Sequence, residues 1–251
     1  MFPPRLTFIT YNLWGSNRWP ERAEALRQFV NLFSPDILCI QELSEQTRTV
    51  LDQIMPRHER VEDELPGWRC ESNIYWNGDL LEELEHGAED IGLLEAHRRF
   101  FWVRLALRDR RQSIFVGTAH FTAQSHGPEI DTGFSPRPGY TRRIISALQR
   151  LVGTDEPAFI MGDFNDPVIP TRLLHACGYI SCFSALGMPP PPTWKCYPTA
   201  NVAAGAAVIT QCVDWIVANK HARALCAQSP RCYHGDIAPS DHWPVQAVYQ
   251  I

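Results

Sequence analysis

Ser240-Asp241-His242-Trp243-Pro244-Val245-Gln246-Ala247-Val248 sets an acid and an imidazole directly against an apolar, strand-like run. Polar side chains at such a boundary stand where ligand sites collect, because strands there give way to loops. Three earlier apolar runs end in the same fashion. They close at Thr10-Tyr11-Asn12, at Gln41-Glu42 and at Gly162-Asp163-Phe164-Asn165. Four strand-end clusters of carboxylate, amide and imidazole are what metal-assisted phosphoester hydrolysis needs.

Between these clusters the pattern alternates. Residues 6–11, 36–40, 101–107, 114–119, 158–161, 213–218 and 244–249 read as strands, mostly short apolar runs. Residues 21–33 place Ala23, Leu26, Phe29, Val30 and Phe33 on a helical stripe, with Pro20 suited to the first turn. Residues 44–55 and 140–152 are further expected helices. Strands and helices in this mixture predict two packed sheets with helices outside, a layered α/β sandwich. No repeat interrupts it, and Pro189 to Pro192 predicts an extended loop.

The 251 residues fit one domain, 1–251, large enough to bury roughly three quarters of the unfolded surface. Hydrophobic content of 45% and charged content of 20% sit near globular averages, so no staple is required. The stretch 202–217 is broken by Thr210, Gln211 and Asp214 and is too polar to span a membrane. The amino terminus, Met1-Phe2-Pro3-Pro4-Arg5, has no charged segment followed by an apolar run, so neither signal peptide nor membrane anchor is expected. Eight cysteines without a Cys-x-x-Cys pair exclude a zinc ribbon and predict reduced thiols in a cytoplasmic protein, expected to be a monomer. Cys226 and Cys232 are the one pair to check for a bridge. A net charge of −5 argues against indiscriminate coating of nucleic acid but leaves nucleic-acid chemistry open, since bound cations change the local field.

Taken singly, the candidate residues are ambiguous. Glu42 reads as an acid before the next helix, favoured by its dipole, or as a ligand for Mg²⁺. Asp163 and Asn165 leave their strand on one side, as a turn would or as a catalytic pair would. Asn12 fits turn chemistry equally well, and His120, closing the run 115–119, fits a structural histidine. Asp214 is different. It lies inside Val213-Asp214-Trp215-Ile216-Val217, where a bare charge is costly, and His242 is its expected partner. Such an acid fixes the imidazole's tautomer and raises its pKa.

In the order Asn, Glu, His, Asp-x-Asn, Asp, Asp-His, these positions make a pattern. From Thr7 to Val248 the chain resembles the endonuclease/exonuclease/phosphatase superfamily, the deoxyribonuclease I-like group. Gln41-Glu42, Gly162-Asp163-Phe164-Asn165 and Ser240-Asp241-His242 are its most specific motifs. Glu21-Arg22-Ala23, Ser34-Pro35-Asp36-Ile37 and Ser240-Asp241-His242-Trp243 look like the tyrosyl-DNA phosphodiesterase branch. The resemblance implies a four-layered α/β sandwich, two central mixed sheets flanked by helices. It implies Glu42 as the principal Mg²⁺ ligand (Mn²⁺ substituting), with Asn12 and Asp241 beside it. His120, Asp163, Asn165, Asp214 and His242 become the catalytic set. Asp163 and Asn165 orient the attacking water, the histidines meet phosphoryl oxygens, and Asp214 holds His242. Either Asp163 or His242 serves as general base, with ionised Asp163 beside charged His242 the preferred pairing.

The implied activity is that of a metal-dependent phosphodiesterase or nuclease acting on nucleic acid or a nucleotide-derived ester. The alternative is a phosphoesterase for a small or lipid-derived phosphate. Tyr140 and Trp194 are candidate substrate contacts, the second because base stacking on an exposed ring is worth roughly 1–3 kcal/mol. Arg98, Arg99, Arg104, Arg108, Arg110 and Arg111 crowd one segment. They read as a solvated face and hairpin turn rather than a polyanion site. The loop 122–138 that follows His120 is better placed for substrate.

Overall fold

The structure, a computed structural model, describes residues 3–110, 112–196 and 211–251. Most of the weakly polar stretch (202–210), Arg111 and the first two residues lie outside it.

One sheet comprises β1 (Arg5–Asn12), β2 (Ile37–Gln41), β3 (His58–Arg60), β4 (Ser72–Asn77), β11 (Arg223–Gln228) and β12 (Val245–Gln250), in the order β11-β12-β1-β2-β4-β3. The other comprises β5 (Leu81–Glu89), β6 (Phe100–Leu107), β7 (Ser113–His120), β8 (Ala158–Asp163), β9 (Ile180–Ser181) and β10 (Asp214–Ala218), in the order β5-β6-β7-β8-β10-β9. Among the described residues each sheet contains one parallel pair, β1 with β2 and β7 with β8, and its other pairings are antiparallel. Parallel neighbours require a crossover. Helix α1 (Ala23–Phe33) makes the first, and α4 (Gly127–Thr132) with α5 (Arg137–Leu151) makes the second.

The strand alternation explains the layering. In β1, Leu6 and Phe8 face the other sheet, while Ile9 and Tyr11 face helices; in β2, Ile37 and Cys39 divide from Leu38 and Ile40 in the same manner. Phe8 stacks on Phe159 across the sheets at 4.0 Å, with Tyr249 edge-on to both. Outside, α1 and α2 (Glu45–Ile54) bury Leu26, Phe29, Val30, Val50 and Leu51. On the far side α5 and α6 (Ile169–Ala176) contribute Ile144, Leu148 and Leu174 to the core. The result is a four-layered sandwich of two mixed sheets between helices.

Strands β3, β4, β5, β9 and β11 go beyond the sequence expectation, as do α3 (Gly67–Cys70), α4, α6 and α7 (Cys182–Ala185). The edge strand β5 shows why. It carries Glu82, Glu83, Glu85 and Glu89, and only Leu81 is buried, so it has little apolar periodicity to detect. Charge along an exposed edge blocks pairing with further strands. Helix α1 starts at Ala23, beyond Pro20, with Arg22 as its N-cap. All eight cysteines are free, so Cys226 and Cys232 form no bridge. No helix among the described residues is long and apolar enough to cross a membrane.

Candidate active site

Register alone lines up three of the candidate residues. His120 ends β7 opposite Asp163 at the end of β8, and Asp163 faces Asp214 at the start of β10. Gly162 makes the strand pair fit. Its φ is +143°, and a Cβ there would lie 2.0 Å from the carbonyl oxygen of Ala119. Asp163 is buried, and its Oδ1 accepts the backbone N–H of Asn165 at 2.8 Å. Asn165 takes the left-handed conformation (φ 47°) that asparagine tolerates, and its Nδ2 donates to the carbonyl of Phe121 at 2.9 Å.

The first sheet supplies the opposing wall. Asn12 closes β1, and its Nδ2 donates both to Glu42 Oε1 and to Asp163 Oδ2, each at 3.0 Å. Glu42 follows β2 with φ 51°, a costly conformation for a residue with a long side chain. Helix α2 does not use it as a cap. Ser44 and Thr47 form the capping box, which leaves the Glu42 carboxylate for the site. Gln41 meanwhile ties the sheets together, donating to Thr10 Oγ1 at 3.1 Å and to Thr118 Oγ1 at 2.9 Å. Before β12, Ser240 Oγ donates to the carbonyl of Asn12 at 2.6 Å and accepts the N–H of His242 at 3.2 Å.

Asp163 Oδ2 is the focus of these groups. Besides Asn12, it faces His120 Nε2 at 3.5 Å and His242 Nε2 at 3.8 Å. Each imidazole is backed at Nδ1 by a carboxylate at 2.8 Å, His120 by Glu71 and His242 by Asp214. Asp214 is itself fixed by Thr193, whose Oγ1 accepts the N–H groups of Val213 and Asp214.

The buried charges act on one another. Burial opposes the charged form of His242, but Asp214 and then Asp163 outweigh it and push its pKa up to about 10. Burial and Arg98 both oppose charge on His120, and Glu71 with Asp163 still leave its pKa raised. Burial, with Asp214, lifts Asp163 above the usual carboxylate range against the pull of both imidazoles. Asp241 is raised by burial and by Glu42, with His242 opposing.

Asn12, Glu42, His120, Asp163, Asn165, Asp214, Asp241 and His242 thus come together at one edge of the two sheets. Trp194 stands at the rim. Its side chain donates to Asp241, its ring centroid is 6.4 Å from that of His242, and it remains 38% exposed. Tyr140, the other candidate substrate contact, makes no hydrogen bond or ring contact with these groups among the described residues. It is 2% exposed, packs edge-on to Phe121 at 5.5 Å and meets Thr122 Oγ1 through its hydroxyl. An amphipathic helix turns such a ring inward when the strand beneath it needs covering.

Two supporting residues escaped the sequence reading. Glu71 precedes β4 in a polar string with no distinguishing signal. Arg98 read as part of a solvated face, yet its side chain is largely buried between Glu71 (3.3 Å), Glu95 (3.2 Å) and the Phe121 carbonyl (3.2 Å).

Asp163, Asp214 and His242 offer ligand atoms within 4.8 Å of one another and form a metal-site-like group. Part of it is already engaged, since His242 Nδ1 and Asp214 Oδ2 share a hydrogen bond. Two buried oxygens, Asp214 Oδ1 and Asp241 Oδ1, receive no hydrogen bond from the described residues. Such oxygens cost roughly 1–3 kcal/mol each when left bare, and an oxygen-rich pocket of this sort fits a hard divalent cation.

The family model described as Endonuclease/Exonuclease/phosphatase family matches residues 9–242, nearly the whole chain. The chain belongs to that family. No curated protein sequence matches it. Solved structures that share the family fold include D. rerio TDP2 complexed with a single-strand DNA product, with a TM-score of 0.79, 17% identity, and 98% of this chain and 99% of that one covered. A mannosyl-6-phosphatase of Bacteroides thetaiotaomicron superposes with a TM-score of 0.75 at 16% identity, covering 98% and 100% of the two chains. The human Nocturnin catalytic domain with bound sulfate gives 0.73 at 16% identity, covering 98% and 93%. Identities this low establish a shared fold. The family membership makes the protein a phosphoesterase-family hydrolase.

Proposed function

We propose that the protein is a Mg²⁺-dependent phosphodiesterase that hydrolyses nucleic acid or a nucleotide-derived ester by in-line attack of water. The observation that carries this reading is Asp163 Oδ2, held among Asn12 and two carboxylate-backed imidazoles. Glu42, Asn12 and Asp241 are the residues that would hold the ion, and the bare Asp241 oxygen supports that choice. Bound there, the metal polarises the phosphoryl group and stabilises charge on the leaving oxygen.

The side chains divide the remaining work. Asp163, a carboxylate made more basic by burial, accepts a proton from water through Oδ2. The Asn165 N–H fixes its other oxygen and so its orientation. His242, charged beside Asp214, donates toward a phosphoryl oxygen, where a fixed donor in a dry site counts most. His120 does the same from the other sheet. Trp194 offers an exposed ring beside these groups, which favours a substrate with a planar base. A small phosphate monoester is the second reading, favoured by the fold shared with the mannosyl-6-phosphatase.

The test is cleavage of end-labelled single- and double-stranded oligonucleotides, alongside hexose 6-phosphates, with Mg²⁺ or chelator. Oligonucleotide cleavage lost in chelator and in Glu42→Gln is expected. Turnover of the sugar phosphate alone moves the assignment to the second reading. Undiminished metal-dependent turnover by Glu42→Gln refutes the ligand set.

A further inference from the structure

Arg22 comes from the Glu21-Arg22-Ala23 string, which no catalytic role absorbs, and it is among the largest fully buried side chains of the fold. Its guanidinium sits over the rings of Trp14 (5.2 Å) and Trp19 (5.7 Å). Nη1 donates to the carbonyl of Leu13 at 2.9 Å and to that of Pro239; Nη2 donates to Gly15 at 3.1 Å and Nε to Asn17 at 2.8 Å.

These acceptors are not scattered. Leu13 follows Asn12 directly, and its own N–H donates to the carbonyl of Gln41 beside Glu42. The N–H of Gly15 donates to the Glu42 carbonyl at 3.0 Å. Pro239 is two residues before Asp241. One planar, permanently charged fork therefore binds the β1 exit and the turn before β12, and through Gly15 it reaches the left-handed turn at Glu42. Separate elements far apart in sequence must hold a fixed spacing for oxygen ligands to converge on one ion.

We propose that Arg22 is the positioning residue of the cation side: it locks the loops carrying Asn12, Glu42 and Asp241 into the spacing that binds the divalent ion. The inference rests on the assignment of those three residues as the ion's ligands. A guanidinium suits the task because its donors diverge in a rigid plane, whereas a Lys ammonium at the same depth offers a point charge with fewer fixed directions.

The experiment is Mn²⁺ titration by calorimetry and by electron paramagnetic resonance on the wild type, Glu42→Gln, Arg22→Lys and Arg22→Met, with thermal unfolding of each. Both Arg22 variants are expected to bind Mn²⁺ about 10–100-fold more weakly, Arg22→Met more so, at unchanged stoichiometry per folded molecule. A purely structural role would lower Tm or the folded fraction and leave the Kd of folded protein alone; that result overturns the inference. Undiminished Mn²⁺ binding by Glu42→Gln is a different failure, because it removes the ligand assignment itself. If neither Arg22 variant folds, amide exchange in the wild type decides. Mn²⁺ should then protect Leu13, Gly15 and His242 together, and protection confined to one of these segments refutes the lock.

Discussion

His120 and His242 face the same oxygen of Asp163 from different sheets, each with a carboxylate behind it, yet their surroundings differ. Asp214 is fully buried within β10, held by Thr193, and its remaining oxygen takes no hydrogen bond from the described residues. Glu71 lies on a loop, is partly exposed, and divides its attention between His120 and Arg98. The His242 side therefore concentrates negative charge on one imidazole, and the His120 side dilutes it with a guanidinium. A carboxylate's effect on a histidine depends on what else the carboxylate touches, at equal distance.

The largest test of this contrast compares the two backing acids. Asp214→Asn should lower kcat by about 10²–10⁴-fold, since it removes both the tautomer control and the imidazolium. Glu71→Gln should cost only roughly tenfold, because Arg98 keeps Glu95 and the Phe121 carbonyl, and His120 keeps Asp163. Steady-state kinetics on a cleaved oligonucleotide compares them, and equal losses would break the asymmetry.

Stability in chelator gives the second test. The pKa of His242 stands near 10 in the folded protein, above the ~6.5 of an unfolded chain. Its contribution is thus fully present below about pH 6.5 and is lost as pH rises through 10. Urea unfolding should show wild type exceeding His242→Gln by roughly 3–5 kcal/mol at pH 6, with the margin shrinking toward pH 10. His120 carries the same sign, so His120→Gln should show a smaller margin with the same slope direction. A margin that grows with pH contradicts the charged state assigned to His242.

The smallest expected effect is at Arg98. Arg98→Met removes a cation that opposes charge on His120, so that imidazole should titrate at higher pH by NMR. The change in kcat/KM should stay below about tenfold. A shift at His242 instead would mean that the two sides are not separately tuned.

Much of this site was legible as a set of strand endings. Apolar runs stopping at Asn12, Gln41-Glu42, His120 and Gly162-Asp163 mark where buried strands give way to loops, and Asp214 stands out because nothing in its own segment can balance it. For Tyr140, a place beside a Gly at a helix start says nothing about its packing on Phe121, which only the strands below decide. Glu71 and Arg98 gave no sequence signal, since one precedes a half-polar strand and the other sits among surface arginines.

What the sequence determined by itself is which side chains leave the strands: two-residue periodicity and abrupt polar endings are local and survive without knowledge of the fold. What only the tertiary structure decided is who meets whom. Asn12 with Asp163, Glu71 with His120, and Asp214 with His242 are partners from distant segments. Each pair forms because the two sheets pack face to face, with β1, β7 and β8 ending and β4, β10 and β12 beginning at the same edge. Hydrogen bonds are short and directional, so that convergence rather than composition sets the charge on each histidine.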